Sequence, residues 1–236
     1  MKRYFKDLFD TYLAQFVYGA IDGAVTTFAI VTGVIGASLS PSIIIILGFA
    51  NLLADGFSMA IGNYLAVKTQ NEFIQRERKR EEWEIDNRIE EEKQEIREIY
   101  SKKGFKDELL DEIVRIITSR KKVWVDTMMR EELGLIEGKH SPIISAVNTF
   151  VGFNAIGIIP LIPFILGYLS GSYISISNAF FYSVLATASS FFLIGSIRGK
   201  VVRKPVMISG FNTLLIGGVA AVVSYCIGYA LSMIIG

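Results

Sequence analysis

Charge is confined to one part of this chain, and that partition limits what the chain can fold into. Between positions 68 and 140 lie 17 of its 24 Lys and Arg residues and 19 of its 23 Asp and Glu residues. Elsewhere the chain is apolar over long runs, and its mean hydropathy is +0.43. A soluble globule covers itself with charge, whereas a chain that meets lipid keeps charge out of the hydrocarbon. Crossing that hydrocarbon takes about 20 mostly apolar residues. Stretches 14–38, 41–67, 143–170, 174–197 and 205–235 qualify. Only Asp22 interrupts the first and only Asp55 the second, and the other three hold no charge. In lipid every backbone polar group must bond within its own segment, so these stretches are helices. Pro160 and Pro163 should bend the third.

The placement of basic residues orients the helices. Lys2, Arg3 and Lys6 precede the first, the charged segment separates the second and third, and Arg198, Lys200, Arg203 and Lys204 link the fourth and fifth. The other two links, "GASLSPS" and "LSGSYISIS", carry no charge. Five helices place all three basic segments on one side. The expected fold is therefore all-α: a membrane protein with five transmembrane helices and a cytosolic helical insert between the second and third. Residues 1–67 hold helices 1 and 2, residues 68–140 the insert, and residues 141–236 helices 3 to 5. The N-terminus and insert are expected in the cytosol and the C-terminus on the opposite side. The charges before the first apolar run resemble a signal peptide, but the run is too long for one, so it reads as a retained helix.

Several functions find no support. A net charge of +1 points to no polyanionic partner, and no nucleic-acid motif is present. There is no hydrolase triad, phosphate-binding loop or dinucleotide fingerprint, so no enzyme and no prosthetic group is expected. The single cysteine, Cys226, lies in an apolar run where packing is its expected role. His140, the single histidine, ends the insert and reads as a loop residue.

What remains is a pattern of acids and methionines. Asp22 and Asp55 are the only acids within spans, where a charge costs about 2.5–3.5 kcal/mol on insertion scales. Such a residue faces an ion path, a cavity or a partner, or else is protonated and holds helices together. Asp55, Met59 and Asn63 follow at intervals of four and share one helix face. A carboxylate with a thioether suits a transition-metal ion better than magnesium or calcium. Gly19 and Gly23 beside Asp22 permit close approach of another helix or subunit. In the insert, Glu81/Glu84 and Glu92/Glu95 form two pairs. On one continuous helix the pairs would lie about 16.5 Å apart, too far for one ion. A reversal at Asp86-Asn87, where Asn87 and Glu90 fit a capping box, would bring them together. Met128 and Met129 beside Glu132 read as exposed methionines in a polar segment closed by Gly134 and Gly138.

"GAIDGAVTTFAIVTGVIGA" with "DGFSMAIGNYLAVKTQNEF", and later "MMREELGL" with "NTFVGFNAIGIIPLIPF", resemble the vacuolar iron transporter family in motif and order. The resemblance implies a five-helix homodimer in the lipid bilayer that moves Fe²⁺, and also Mn²⁺, out of the cytosol in exchange for protons. It implies a vacuolar membrane in a eukaryote and a plasma membrane in a prokaryote. By motif, Asp22 matches the first-span D-G-x-V acid and Met59 the second-span S-M methionine. Glu81, Glu84, Glu92, Glu95, Met128, Met129 and Glu132 match the insert's ligands. Many members carry Glu where this chain has Asn63, so the resemblance implies an acidic site shifted to Asp55. Asp22, Asp55, Met59 and Asn63 are then the expected translocation path, and Fe²⁺, Mn²⁺, Co²⁺ or Zn²⁺ the bound substrate. On this reading an acid placed at position 63 should stand in for one lost at position 55. Two other readings fit the residues: a membrane-anchored metal sensor or buffer without transport, and a carrier of another solute with a regulatory insert.

Overall fold

Glycines on the first helix let the chain's own backbone approach it. The computed structural model describes residues 2–136, 140–170 and 176–235, with side chains described from residue 11 onward. The described residues form helices and no strand. They are α1 (Lys2–Gly36), α2 (Pro41–Asn87), α3 (Ile89–Lys102), α4 (Asp107–Thr118), α5 (Lys121–Glu131), α6 (Pro142–Gly157), α7 (Ile162–Leu169), α8 (Ile176–Val201) and α9 (Val206–Ile235). Five segments are long and apolar enough to cross a membrane: Thr11–Gly36, α2, Pro142–Leu169, α8 and α9. The third breaks where Pro160 and Pro163 predict, since α6 stops at Gly157 and a 3₁₀ turn, Ile159–Leu161, leads into α7. Gly138 and most of the link at 169–177 lie outside the described residues.

The chain divides into two compact units, residues 1–65 with 142–236, and residues 66–141. In the first, α1 is central and packs on α6, α8 and α9. A side-chain carbon at Gly19 would overlap the carbonyl oxygen of Thr149, and one at Gly23 that of Phe153, both on α6. Gly152 is equally close to the Phe16 carbonyl. The expected small-residue contact is therefore made within one chain, between α1 and α6. Around it Ala24, Phe28, Val31, Leu52, Phe153, Leu161 and Phe191 form the buried core. Cys226 does not pack inside as expected; it is exposed on the outer face of α9.

The second unit forms because its helices are amphipathic. Leu110, Val114 and Ile117 recur at helical spacing on α4 and meet Ile74, Ile85, Ile96, Trp124 and Val125. The expected break at Asp86-Asn87 is present, but the capping box is not. Arg88 is the N-cap residue of α3 and makes no side-chain capping bond. The Asn87 amide instead donates to the Trp83 carbonyl at 2.7 Å, finishing α2 rather than starting α3. α3 ends on Gly104 at φ +96°, a conformation that favours glycine, and the Phe105 N–H then reaches the Tyr100 carbonyl.

The α1–α6 contact yields a direct test. Gly23→Leu forces a side chain into the Phe153 backbone, which cannot rotate away. Its cost should reach or exceed the upper end of the roughly 1–3 kcal/mol usual for overpacking. Gly218→Ala, with no atom within 4 Å of the added carbon, should be silent. Size exclusion and thermal melting should show loss of the folded species for Gly23→Leu alone.

Candidate metal centre and translocation path

The turn after α2 brings the two glutamate pairs together, as a reversal of the chain would. Glu81 and Glu92 share a hydrogen bond between their carboxyls. Both are buried, at 2% and 5% exposure. Glu81 Oε1 and Glu92 Oε2 are buried with no hydrogen-bond partner. Glu84, Glu95 and Glu132 stand close enough for their charges to act on this pair and on one another. The five glutamates expected from the sequence thus gather in one place, drawn from α2, α3 and the end of α5. Among the described residues, however, no three His, Cys, Asp or Glu side chains are arranged to hold one metal ion. The cluster is loose rather than a preformed cage.

Crowding of like charge in a buried setting raises these acids. Burial, with the Glu92 charge adding to it, pushes Glu81 up to about 8. Burial and the Glu95 charge push Glu92 up to about 7, opposed by the hydrogen bond it accepts from Glu81. Glu95 and Glu132 are raised too, first by burial and then by Glu84 and by Glu95 respectively. Glu132 is exposed at the surface, so only the packed protein beneath it can supply that effect.

Met128 and Met129 differ from expectation. They are buried, at 0% and 3% exposure, within the apolar core of the second unit. The polar sequence around them suggested exposure, but on α5 it is Asp126 and Arg130 that face outward. Two residues of the cluster carried no clear signal in the sequence. Glu77 lies one turn before Glu81 and is 8% exposed, and Arg80 bridges Glu77 and Glu84. The spacing Glu77, Glu81, Glu84 on one helix face was the available clue.

In the first unit Asp22 and Asp55, half-buried on α1 and α2, lie within electrostatic reach of each other. Beside them the Asn51 amide donates to Thr26 Oγ1 at 3.2 Å, joining the same two helices. Asn51 precedes Asp55 by four residues and Thr26 follows Asp22 by four, so both extend the stripes seen in the sequence. Asp22 also lines a cavity of about 380 Å³ with Tyr18 and Arg198, which comes from the basic end of α8. Met59 packs against the core. Asn63 is engaged elsewhere: its amide donates to Thr149 Oγ1 at 2.6 Å and to the Ser145 carbonyl at 3.3 Å, both on α6. The structure thus places Asp22 and Asp55 within electrostatic reach of each other and uses Asn63 as a tether for α2.

These features define a multi-pass integral membrane protein with acids gathered in its spans and in its polar unit. Residues 13–229 match the VIT family, and the chain belongs to it. It is 37% identical to the vacuolar iron transporter of Toxoplasma gondii, over 95% of this chain and 76% of that one. It is 33% identical to the vacuolar iron transporter of Plasmodium falciparum, over 93% and 82%. With vacuolar iron transporter 1 of Arabidopsis thaliana it shares 31%, over 89% and 82%. This is a family of transporters, not of enzymes.

Two outcomes follow. Glu81 and Glu92 titrate higher folded than their ordinary 4.5, so between those values the folded state binds more protons than the unfolded. The stability they lend is full below the ordinary value and is lost as pH rises through about 7 and about 8. Both tryptophans, Trp83 and Trp124, lie in the second unit, so their fluorescence in the whole protein reports that unit alone. With chelator present, its melting midpoint should be lower at pH 8 than at pH 6; equal midpoints would mean the acids are ionised throughout. Separately, Asn63→Asp replaces a donor with an acceptor facing the Ser145 carbonyl. It should loosen α2, and Asp55→Asn with Asn63→Asp should not regain activity lost by Asp55→Asn, contrary to what the sequence suggests. Recovery in the double variant, read beside a size-exclusion profile, would restore the shifted-acid reading.

Proposed function

We propose that this protein carries ferrous iron, with manganese as a second substrate, out of the cytosol in exchange for protons, and that it works as a homodimer. The observation that carries this reading is the placing of Asp22 and Asp55 within electrostatic reach of each other on two spans of a chain whose relatives are named vacuolar iron transporters. Two neighbouring carboxylates repel each other unless a cation or a proton lies between them, so the same place serves either cargo. The second unit faces the cytosol with the N-terminus, and the C-terminus lies on the far side. Glu81, Glu84, Glu92, Glu95 and Glu132 gather the ion there. Met128 and Met129, buried in the apolar core four and three residues before Glu132, turn towards the ion as soft ligands, which select against magnesium and calcium.

A carboxylate must lose its proton to bind a metal. Loading therefore releases protons from the raised glutamates. On the far side, protonation of Asp22 and Asp55 releases the ion, and their return as neutral groups completes an exchange of metal for protons. Met59 offers a thioether one turn from Asp55 on the same wall.

The test is flux into liposomes with Fe²⁺, Mn²⁺, Co²⁺ and Zn²⁺, with and without an acidic interior. Fe²⁺ uptake should be quickest and should rise with the pH gradient. Asp55→Asn should remove roughly 10- to 100-fold of it, the scale on which losing a partner group weakens a metal site. Normal flux from a folded Asp55→Asn protein would refute the path. Metal binding with no flux would mark a membrane-anchored sensor or buffer instead.

A further inference from the structure

Arg80 is a cation already seated among the acids of the second unit. It sits on α2, three residues after Glu77 and four before Glu84, where helical spacing brings all three side chains together. Its Nη1 is 3.3 Å from Glu77 Oε2, and its Nε is 3.4 and 3.3 Å from the two oxygens of Glu84. Its charge also reaches Glu132, just past the end of α5. These are long contacts for a guanidinium on a carboxylate, which settles at about 2.7–2.9 Å when the fork is well matched. Arg76 makes the comparison plain, holding Glu77 at 2.6 Å. Exposure shows which partner can leave. The side chains of Glu77 and Glu84 are 10% and 18% exposed, and that of Arg80 is 58% exposed. The acids are fixed, and the arginine lies across them from the solvent side.

We propose that Arg80 is a built-in competitor for the divalent ion: it occupies Glu84 when the second unit is metal-free and must swing away for the ion to bind. This rests on the reading that the glutamates of that unit bind metal. It explains why the five acids stand together without forming a cage. Arg80 offsets their repulsion, so the unit folds without metal, yet it pulls Glu84 towards the rim. The free-metal level at which the unit loads is then set by how readily Arg80 lets go. Arg80 lies on the solvent side, where water screens its pairs, so release is easy and the effect on affinity is graded rather than absolute.

The experiment uses the whole purified protein in detergent. Mn²⁺ and Co²⁺ are titrated by calorimetry and by the fluorescence of Trp83 and Trp124, both in the second unit. Arg80→Gln should tighten binding about fivefold, the modest factor in keeping with a water-screened surface pair. Its metal-free unit should melt earlier than wild type, and its gain in melting temperature on adding metal should be larger. Arg76→Gln removes the same charge from Glu77 but leaves Glu84 alone, so its affinity should change less than twofold. Equal or weaker binding by folded Arg80→Gln, with wild type binding, overturns the competitor and leaves the metal-binding reading standing. Binding by Arg80→Gln but not wild type supports the competitor strongly. Binding by neither overturns both.

Discussion

The backbone contact between α1 and α6 is the interaction on which the membrane unit depends. Two helices that carry side chains at their crossing keep apart; with Gly19, Gly23 and Gly152 there, each presses on the other's carbonyls. Lipid supplies no hydrophobic drive for helices to associate, so close van der Waals contact of this kind has to supply it. α1 is thereby held at the centre, with α8 and α9 against its other faces. Asp22 sits next to Gly23 and inherits that fixed position. α2 is held differently, by side chains: Asn51 to Thr26 on α1, and Asn63 to Ser145 and Thr149 on α6. One carboxylate thus stands on a helix fixed by backbone contact and the other on a helix held by side chains, with Leu52 in the core and a few polar ties beside it.

The same electrostatic problem recurs in both units. Acids that are brought together repel one another. In the second unit the repulsion is offset in two ways. Glu81 keeps a proton towards neutral pH and donates it to Glu92, while Arg80 lies across Glu77 and Glu84. Under the proposed function, each device is also something that an arriving ion has to displace. On the function proposed above, proton release and arginine release would both accompany metal capture.

Much of the site was legible in the sequence because a charge in an apolar run stands out. Asp22 and Asp55 were visible for that reason, and the glutamate pairs because of their regular spacing. Thr26, Asn51, Glu77 and Arg80 were not. Threonine and asparagine are unremarkable within a span, and one more Glu or Arg disappears in a segment where charge is everywhere. Met128 and Met129 misled in the opposite direction. Their neighbours are polar, but a short helix turns its residues through every direction, and theirs is the inward one.

The amino-acid pattern alone determined that five helices are long and apolar enough to span a membrane and that a polar helical segment follows the second. Hydropathy over a stretch of residues is a local quantity, and backbone groups in lipid have only the helix available to them. Which acids meet is not local. Whether Glu81 faces Glu92 depended on the turn after Asn87, and whether Asn63 lines a path or ties down α2 depended on where α6 passes. Those outcomes are set by contacts between residues far apart in the chain, and only the tertiary structure decided them.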